Sequence, residues 1–204
     1  MLKEKFIQLI SSYSKDERYN LYCWKEIEEK YSSKSRYYHN LEHLENMLKE
    51  LDEVKTQILN LDSLIFAVYY HDIIYTATKS DNEVQSSLLF QKRITKTSFS
   101  YIQECRRAIE ATKEHKFSED HDTNLLLDCD LSILGKSNIE YTQYAKNIRK
   151  EYQIYPDFMY RKGRKKVLKS ILALKSIYKT DFFIQKYEKQ ARENLELELA
   201  QLTS

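Results

Sequence analysis

The sequence of 204 residues contains only two glycines and one proline. Tight turns and β-hairpins depend on these residue types, so the chain has little room for either. Strand-like alternation of apolar and polar residues is also scarce, whereas Glu, Lys, Leu, Gln and Arg, which favour helices, are abundant. The composition and the apolar periodicity predict an all-α fold with about eight to ten helices.

Cysteines are few and long apolar runs are absent. Cys23, Cys105 and Cys129 are odd in number and have no CxxC spacing, which excludes a disulfide framework and predicts reduced thiols in a cytoplasmic protein. No run approaches the roughly 18 apolar residues that a membrane span needs. The first ten residues contain three charges and lack the apolar centre of a signal peptide. We therefore expect no contact with a membrane.

Charge of one sign is not in excess either. The chain has 33 basic and 31 acidic residues, a formal net charge of +2, which argues against a nucleic-acid partner. One basic cluster, Arg161 to Lys166, stands out against this balance. Charge runs of this kind are usually solvated helix faces, and we interpret it so.

Histidine is rare but concentrated. The chain has five histidines, and three of them lie in Tyr38 to His43 and in His71-Asp72. Asn40 can cap a helix that contains His43, and a strongly apolar helix ends at His71-Asp72. Burying such groups without partners costs a few kcal/mol, a penalty that a metal ion removes because imidazole and carboxylate are its usual ligands. The pattern predicts a metal site built by two helices.

A further carboxylate is available from the apolar segment between Thr123 and Leu134. Asp128 and Asp130 interrupt this segment. Two residues apart on a helix, they point about 200° from one another, so both cannot face one site. One is expected to face the site and the other a structural partner, and the spacing does not choose between them.

The rest of the chain predicts packing. The segment from Ile139 to Leu202 has no histidine or cysteine and is expected to form three helices, with breaks near Pro156 and Thr180. Neither an internal repeat nor a linker is visible. We expect one domain over residues 1–204, with the metal-site core at about 36–135 and packing helices at about 139–202.

The order of these motifs resembles a known superfamily. His43, then His71-Asp72, then a late aspartate is similar to the H…HD…D order of the HD superfamily of metal-dependent phosphohydrolases. With the YHN triplet, the Asn82-Glu83 pair and the DxDLxxLG pattern at 128–135, the chain resembles a compact bacterial family of predicted HD-superfamily phosphohydrolases. The resemblance extends over two blocks, from Arg36 to Gly135 and from Arg164 to Leu199.

A more distant resemblance concerns the YHNxxH pattern at Tyr38 to His43, which is similar to a signature of the cyclic-nucleotide phosphodiesterases of the same fold group. The purine-clamping elements of those enzymes, including a late glutamine, have no counterpart in this sequence. The resemblance to the phosphodiesterases is therefore limited to the metal-site motifs.

The resemblance implies a single HD-type helical bundle and a set of roles. His43, His71, Asp72 and Asp130 would ligate one divalent metal ion. Asp130 is preferred over Asp128 because the Asp-Leu-Ser that begins at Asp130 resembles that of the phosphodiesterases. His39 would donate a proton to the leaving oxygen, and Asp72 would orient or deprotonate a water. Two imidazoles and two carboxylates suit Mn, Fe, Co, Ni, Mg or Zn without choosing among them.

Four further residues are candidates near this site. Glu83 is expected to hydrogen-bond a ligand histidine and fix its orientation. His115 lies where many HD proteins place a further histidine for a second metal or for phosphate. Lys113 and Arg36 are candidate phosphate contacts.

These expectations combine into a function. The chain is expected to be an enzyme that hydrolyses a phosphate ester or anhydride by a metal-activated water. The substrate would be a nucleotide or another small phosphorylated metabolite, on family analogy. Two alternatives remain: a phosphodiesterase acting on a cyclic nucleotide or dinucleotide, and a nucleotide-sensing HD protein that keeps the metal site without turnover.

Overall fold

The fold of the chain is all-α, as expected. The computed structural model describes residues 1–203, and within them it has ten α-helices and no strand, in line with the predicted number. The helices are α1 (Leu2–Ser11), α2 (Glu17–Tyr31), α3 (Leu41–Glu53), α4 (Leu61–Tyr70), α5 (Asn82–Ile94), α6 (Ile102–Ala111), α7 (His121–Leu131), α8 (Asn138–Glu151), α9 (Asp157–Leu172) and α10 (Asp181–Thr203). Over the same residues, no helix combines the length and apolar character that crossing a bilayer requires.

The helices divide into two compact units. The first runs from Met1 to Leu126 and the second begins at Leu127, so the boundary falls inside α7. This division differs from the predicted core at 36–135 and tail at 139–202. The single domain expected over residues 1–204 stays a prediction.

Helix α4 is the centre of the first unit and contacts α3, α5 and α6. It begins where the Asn60 side chain accepts a hydrogen bond from the amide of Ser63 (3.0 Å). Phe66 and Tyr69 on α4 are fully buried, and each large apolar side chain buried in this way stabilises the fold by about 1.5–3 kcal/mol. The aromatic contacts of this core involve Phe6, Trp24, Phe66, Tyr69, Phe90 and Phe99. These contacts hold α4 in place within the first unit.

Helix α3 begins at the predicted cap. The side-chain oxygen of Asn40 accepts hydrogen bonds from the amides of Glu42 (2.9 Å) and His43 (3.4 Å). Caps of this kind contribute about 1 kcal/mol. Because the helix starts at Leu41, His43 lies in its first turn, whereas His39 lies in the loop before it.

In the second unit, α10 packs against α9 and against a 3₁₀ turn at Ser132–Gly135. Gly135, the last residue of this turn, has no positive φ. A Cβ atom at this position would lie 2.4 Å from Cβ of Tyr187. Position 135 therefore needs glycine, because the Tyr187 side chain lies against its main chain. The predicted breaks near Pro156 and Thr180 are confirmed, since α9 starts just after the first and α10 just after the second.

The cysteines behave as predicted. Cys23, Cys105 and Cys129 are buried and form no disulfide within the described chain. Burial raises the pKa of the Cys23 and Cys105 thiols, which keeps them protonated and unreactive.

Candidate metal centre

The end of α4 presents an oriented imidazole. His71 is the first residue after α4, and its amide still donates to the carbonyl of Ala67 (2.8 Å). Its ring Nδ1 lies 2.9 Å from the carbonyl oxygen of Val68. A carbonyl only accepts, so Nδ1 carries the proton, and Nε2 of the neutral ring has a lone pair on the opposite side. Metal-ligating histidines are commonly held in this way.

His43, His71 and Asp72 meet at one point. The Nε2 atoms of the two histidines are 3.2 Å apart, and Nε2 of His71 lies 3.2 Å from Oδ2 of Asp72. One ligand-type atom from each of the three residues lies within 4.8 Å of the others, and all three residues are buried. The predicted convergence of the helix containing His43 with the residues that follow α4 is confirmed.

This three-residue cluster fits a divalent cation. Two nitrogens that each lie about 2.1 Å from one ion, at a tetrahedral or octahedral angle, are about 3.0–3.4 Å apart. The observed 3.2 Å between the Nε2 atoms falls in that interval. Two imidazoles and a carboxylate form a mixed nitrogen and oxygen donor set that several divalent metals accept. The cluster could therefore hold a metal ion, and the donors alone do not choose which.

Asp128 and Asp130, the two aspartates near the end of α7, have different surroundings. Asp128 is fully buried and accepts hydrogen bonds from the amides of Lys179 (2.8 and 3.0 Å) and Thr180 (2.8 Å) and from the Thr180 hydroxyl (2.8 Å). Burial raises the pKa of Asp128, opposed by these hydrogen bonds. The structural role expected for Asp128 is confirmed. Asp130, in the last turn of α7, is half-buried, and its role as the fourth ligand stays a prediction.

His39 lies beside the three-residue cluster. Its Nε2 is 3.9 Å from Oδ2 of Asp72, and 18% of its side chain is exposed, so solvent reaches it. Tyr75 stacks on the imidazole, with ring centroids 4.3 Å apart and planes at 30°, and Tyr38 packs edge-on against it at 4.9 Å. His39 therefore lies next to the three ligand candidates but is not part of their cluster. Its role as a proton donor stays a prediction.

Arg36 was expected to contact phosphate, and the structure gives its guanidinium a different use. The side chain is buried. One terminal nitrogen donates to the carbonyls of His39 (3.1 Å) and Asp72 (2.7 Å), and the other donates to the carbonyl of Ile73 (3.0 Å). Arg36 therefore joins the loop before α3 to the residues after α4, and the phosphate contact predicted for it is not supported.

Two tyrosines complete this junction, and the sequence patterns did not point to either. The guanidinium of Arg36 lies over the ring of Tyr31 (4.7 Å) and near that of Tyr75 (5.5 Å). The Tyr31 hydroxyl accepts a hydrogen bond from the amide of Asp72 (3.2 Å). The chain has 17 tyrosines, and no sequence pattern distinguishes these two from the others. Only the positions of the loops in the fold identify them.

The remaining candidates lie outside the three-residue cluster. The side chain of Glu83, in the first turn of α5, makes no hydrogen bond or ion pair within residues 1–203. The role predicted for it at a ligand histidine is wrong for His71, whose Nδ1 is held by Val68. His115, which has a positive φ of 48°, and the exposed Lys113 follow α6. Neither belongs to the cluster, and their roles at phosphate stay predictions.

Comparison with known proteins adds no relative: no protein-family model, curated protein or solved structure matches the chain. Membership of the HD superfamily stays a prediction that rests on the order of the motifs. The geometry at His43, His71 and Asp72 is the observation on which a functional argument can be built.

Proposed function

We propose that the chain is a metal-dependent phosphohydrolase of the HD type that hydrolyses a phosphate ester or anhydride of a nucleotide or small metabolite. The observation that carries this proposal is the buried cluster of His43, His71 and Asp72, with Nε2 atoms 3.2 Å apart. The order of the sequence motifs supports the choice of phosphate chemistry. The three cysteines form no disulfide within residues 1–203, which supports a reducing compartment such as the cytoplasm.

Each residue of the cluster has a definite task in this proposal. A bound divalent cation would supply Lewis acidity, which lowers the pKa of a coordinated water and polarises a phosphoryl oxygen. His43 and His71 would each offer an Nε2 atom as a ligand, and the carbonyl of Val68 orients the ring of His71 by its contact with Nδ1. Asp72 can use one carboxylate oxygen as a ligand and the other to orient the attacking water. Asp130 is proposed as the fourth ligand.

His39 is proposed as the general acid. Its Nε2 lies 3.9 Å from the Asp72 carboxylate, next to the place where the reacting phosphate would be held. A protonated imidazole there can donate to the departing oxygen. The stacked ring of Tyr75 holds the imidazole in this orientation.

The first test measures metal and turnover together. Protein purified without chelator is analysed for metal, loaded with Mn²⁺, and assayed on mono-, di- and cyclic nucleotides and on aryl phosphates. His43→Ala and Asp72→Ala are expected to lose both bound metal and turnover. His121→Ala, an exposed histidine at the start of α7, is the matched control and should retain both. A protein that neither contains nor binds a divalent metal would contradict the proposal.

The same assay separates the alternatives. Turnover confined to cyclic nucleotides or dinucleotides would favour the phosphodiesterase suggested by the YHNxxH pattern. Tight nucleotide binding without turnover would favour the sensor.

Two further variants assign individual roles. His39→Ala should keep the metal and lose rate, and loss of metal would make His39 a ligand instead. Asp130→Ala should lower metal affinity, and unchanged affinity would remove Asp130 from the proposed ligand set.

A further inference from the structure

A row of cations lies on one face of α9. Five basic residues and one aromatic residue line a surface groove of about 560 Å³: Phe158, Arg161, Lys162, Lys165, Lys166 and Lys169. Their spacing of three and four residues places them along a single side of the helix. From Lys162 to Lys169 the row rises about 10 Å along the helix axis. We call this row of basic residues the positive track of α9.

The charge of this track is not neutralised within the chain. Asp157 is the only acidic residue of α9, and it pairs with Arg149 at 3.3 Å. Arg164 faces inward and is paired with Glu198 at 2.8 Å. Four side chains make no ion pair or side-chain hydrogen bond within residues 1–203: Lys162, Lys165, Lys166 and Lys169. Mutual repulsion among these ammonium groups falls when a partner supplies several anionic groups.

An aromatic ring lies on the same track. Phe158, in the first turn of α9, is 72% exposed although it is a large apolar side chain. Grooves that bind single-stranded nucleic acid combine cations along the backbone path with aromatic rings on which bases stack. Phe158 and the four lysines supply both components on one helix face.

We infer that this face of α9 binds a single-stranded nucleic acid, with its lysines on the phosphates and Phe158 stacked on a base. A helix that lies on a membrane instead buries an apolar face in the lipid. Here the lysines occupy the centre of the exposed side. The inference reverses the expectation that Arg161 to Lys166 is only solvated, and it uses residues of α9 alone. It does not depend on the proposed hydrolase function.

The test is fluorescence anisotropy of the full chain with a labelled oligouridylate of about 20 nucleotides. EDTA is present so that hydrolysis at the metal centre cannot remove the probe. Between about 50 and 200 mM salt, log K against log salt should have a slope near −2.8, because each of four phosphate contacts contributes about −0.7. Lys162→Gln/Lys166→Gln should halve the slope and weaken binding. Phe158→Ala should weaken binding about tenfold without changing the slope.

Matched controls make the test decisive. Lys25→Gln/Lys30→Gln removes the same charge from exposed positions on α2 and should leave affinity and slope as in the unaltered chain. If this control and the α9 double variant lose the same affinity for the oligonucleotide, the effect comes from net charge alone and the inference is overturned. Binding to phosphatidylserine vesicles but not to the oligonucleotide would also overturn it. His43→Ala should not change binding, so that this inference and the metal centre fail independently.

Discussion

Replacing Arg36 with lysine tests whether this side chain holds together the two segments that form the candidate metal centre. Three hydrogen bonds of 3.1, 2.7 and 3.0 Å join the guanidinium to main-chain carbonyls on two segments. Hydrogen bonds from charged donors contribute about 1.5–3 kcal/mol each. A lysine ammonium keeps the charge but lacks the planar fork that reaches three carbonyls. If it keeps one bond and loses two, the free energy of unfolding of the first unit falls by about 3–6 kcal/mol.

The assay should report on the first unit alone, because a chain with two compact units need not unfold in one step. Trp24, the only tryptophan, lies in that unit and is 3% exposed, so its fluorescence during urea unfolding follows the required transition. A chelator removes any contribution from bound metal. Calorimetric titration with Mn²⁺ should then show about 10–100-fold weaker binding, since the segments that carry His39 and Asp72 lose their common support.

Arg107→Lys is the matched control. This arginine is 73% exposed and lies 3.6 Å from Glu104, and exposed pairs of this kind contribute about 0–1 kcal/mol. Its replacement should shift the unfolding midpoint very little. If Arg36→Lys unfolds at the same urea concentration as this control, the hydrogen bonds of Arg36 do not hold the centre together, and the reasoning from its geometry is wrong.

Three other perturbations have defined outcomes. Tyr75→Leu should lower kcat about tenfold with bound metal unchanged, because His39 loses its stacked support, whereas Tyr75→Phe should retain activity. Asp128→Asn should lower the free energy of unfolding by about 2–4 kcal/mol, since the amide opposes buried donors with its own N–H groups, as urea denaturation would show. Burial and a hydrogen bond to Asp62 raise the pKa of Tyr13 to about 12 from 10. The associated stability is present below pH 10 and lost toward pH 12, so the destabilisation by Tyr13→Phe should shrink over that interval.

The positions of the candidate ligands on α3 and after α4 could be predicted because short-range patterns specify them. Asn40 needs only the two following amides to define the start of α3, which places His43 in the first turn. The apolar run before His71 predicts a core helix whose end carries His71 and Asp72 together. Once the start of α3 and the end of α4 are known, the side chains of His43, His71 and Asp72 have few possible positions.

The role of Arg36 could not be predicted in this way. An isolated arginine next to a polar segment is usually solvated, and its sequence neighbours do not show which carbonyls it will meet. Two of its three acceptors, Asp72 and Ile73, lie 36 and 37 residues along the chain. Their meeting depends on how the loop before α3 approaches the residues after α4. Periodicity and capping describe single helices and contain no information about that approach.

Asp128 and Asp130 show the same limit within a single helix. A separation of about 200° around the helix establishes that the two carboxylates have different neighbours. It does not show which of the two faces the candidate site. The choice depends on the residues just before α10. There the amides of Lys179 and Thr180, 51 and 52 residues further along the chain, donate hydrogen bonds to the carboxylate of Asp128. A side chain that already accepts hydrogen bonds from three donors would have to give them up to bind a cation, with a loss of about 1 kcal/mol or more for each. Asp130 lies about 200° around the helix from Asp128 and therefore faces away from these donors. Binding a metal ion would not require Asp130 to give up these hydrogen bonds, so it is the better of the two aspartates to test as a ligand.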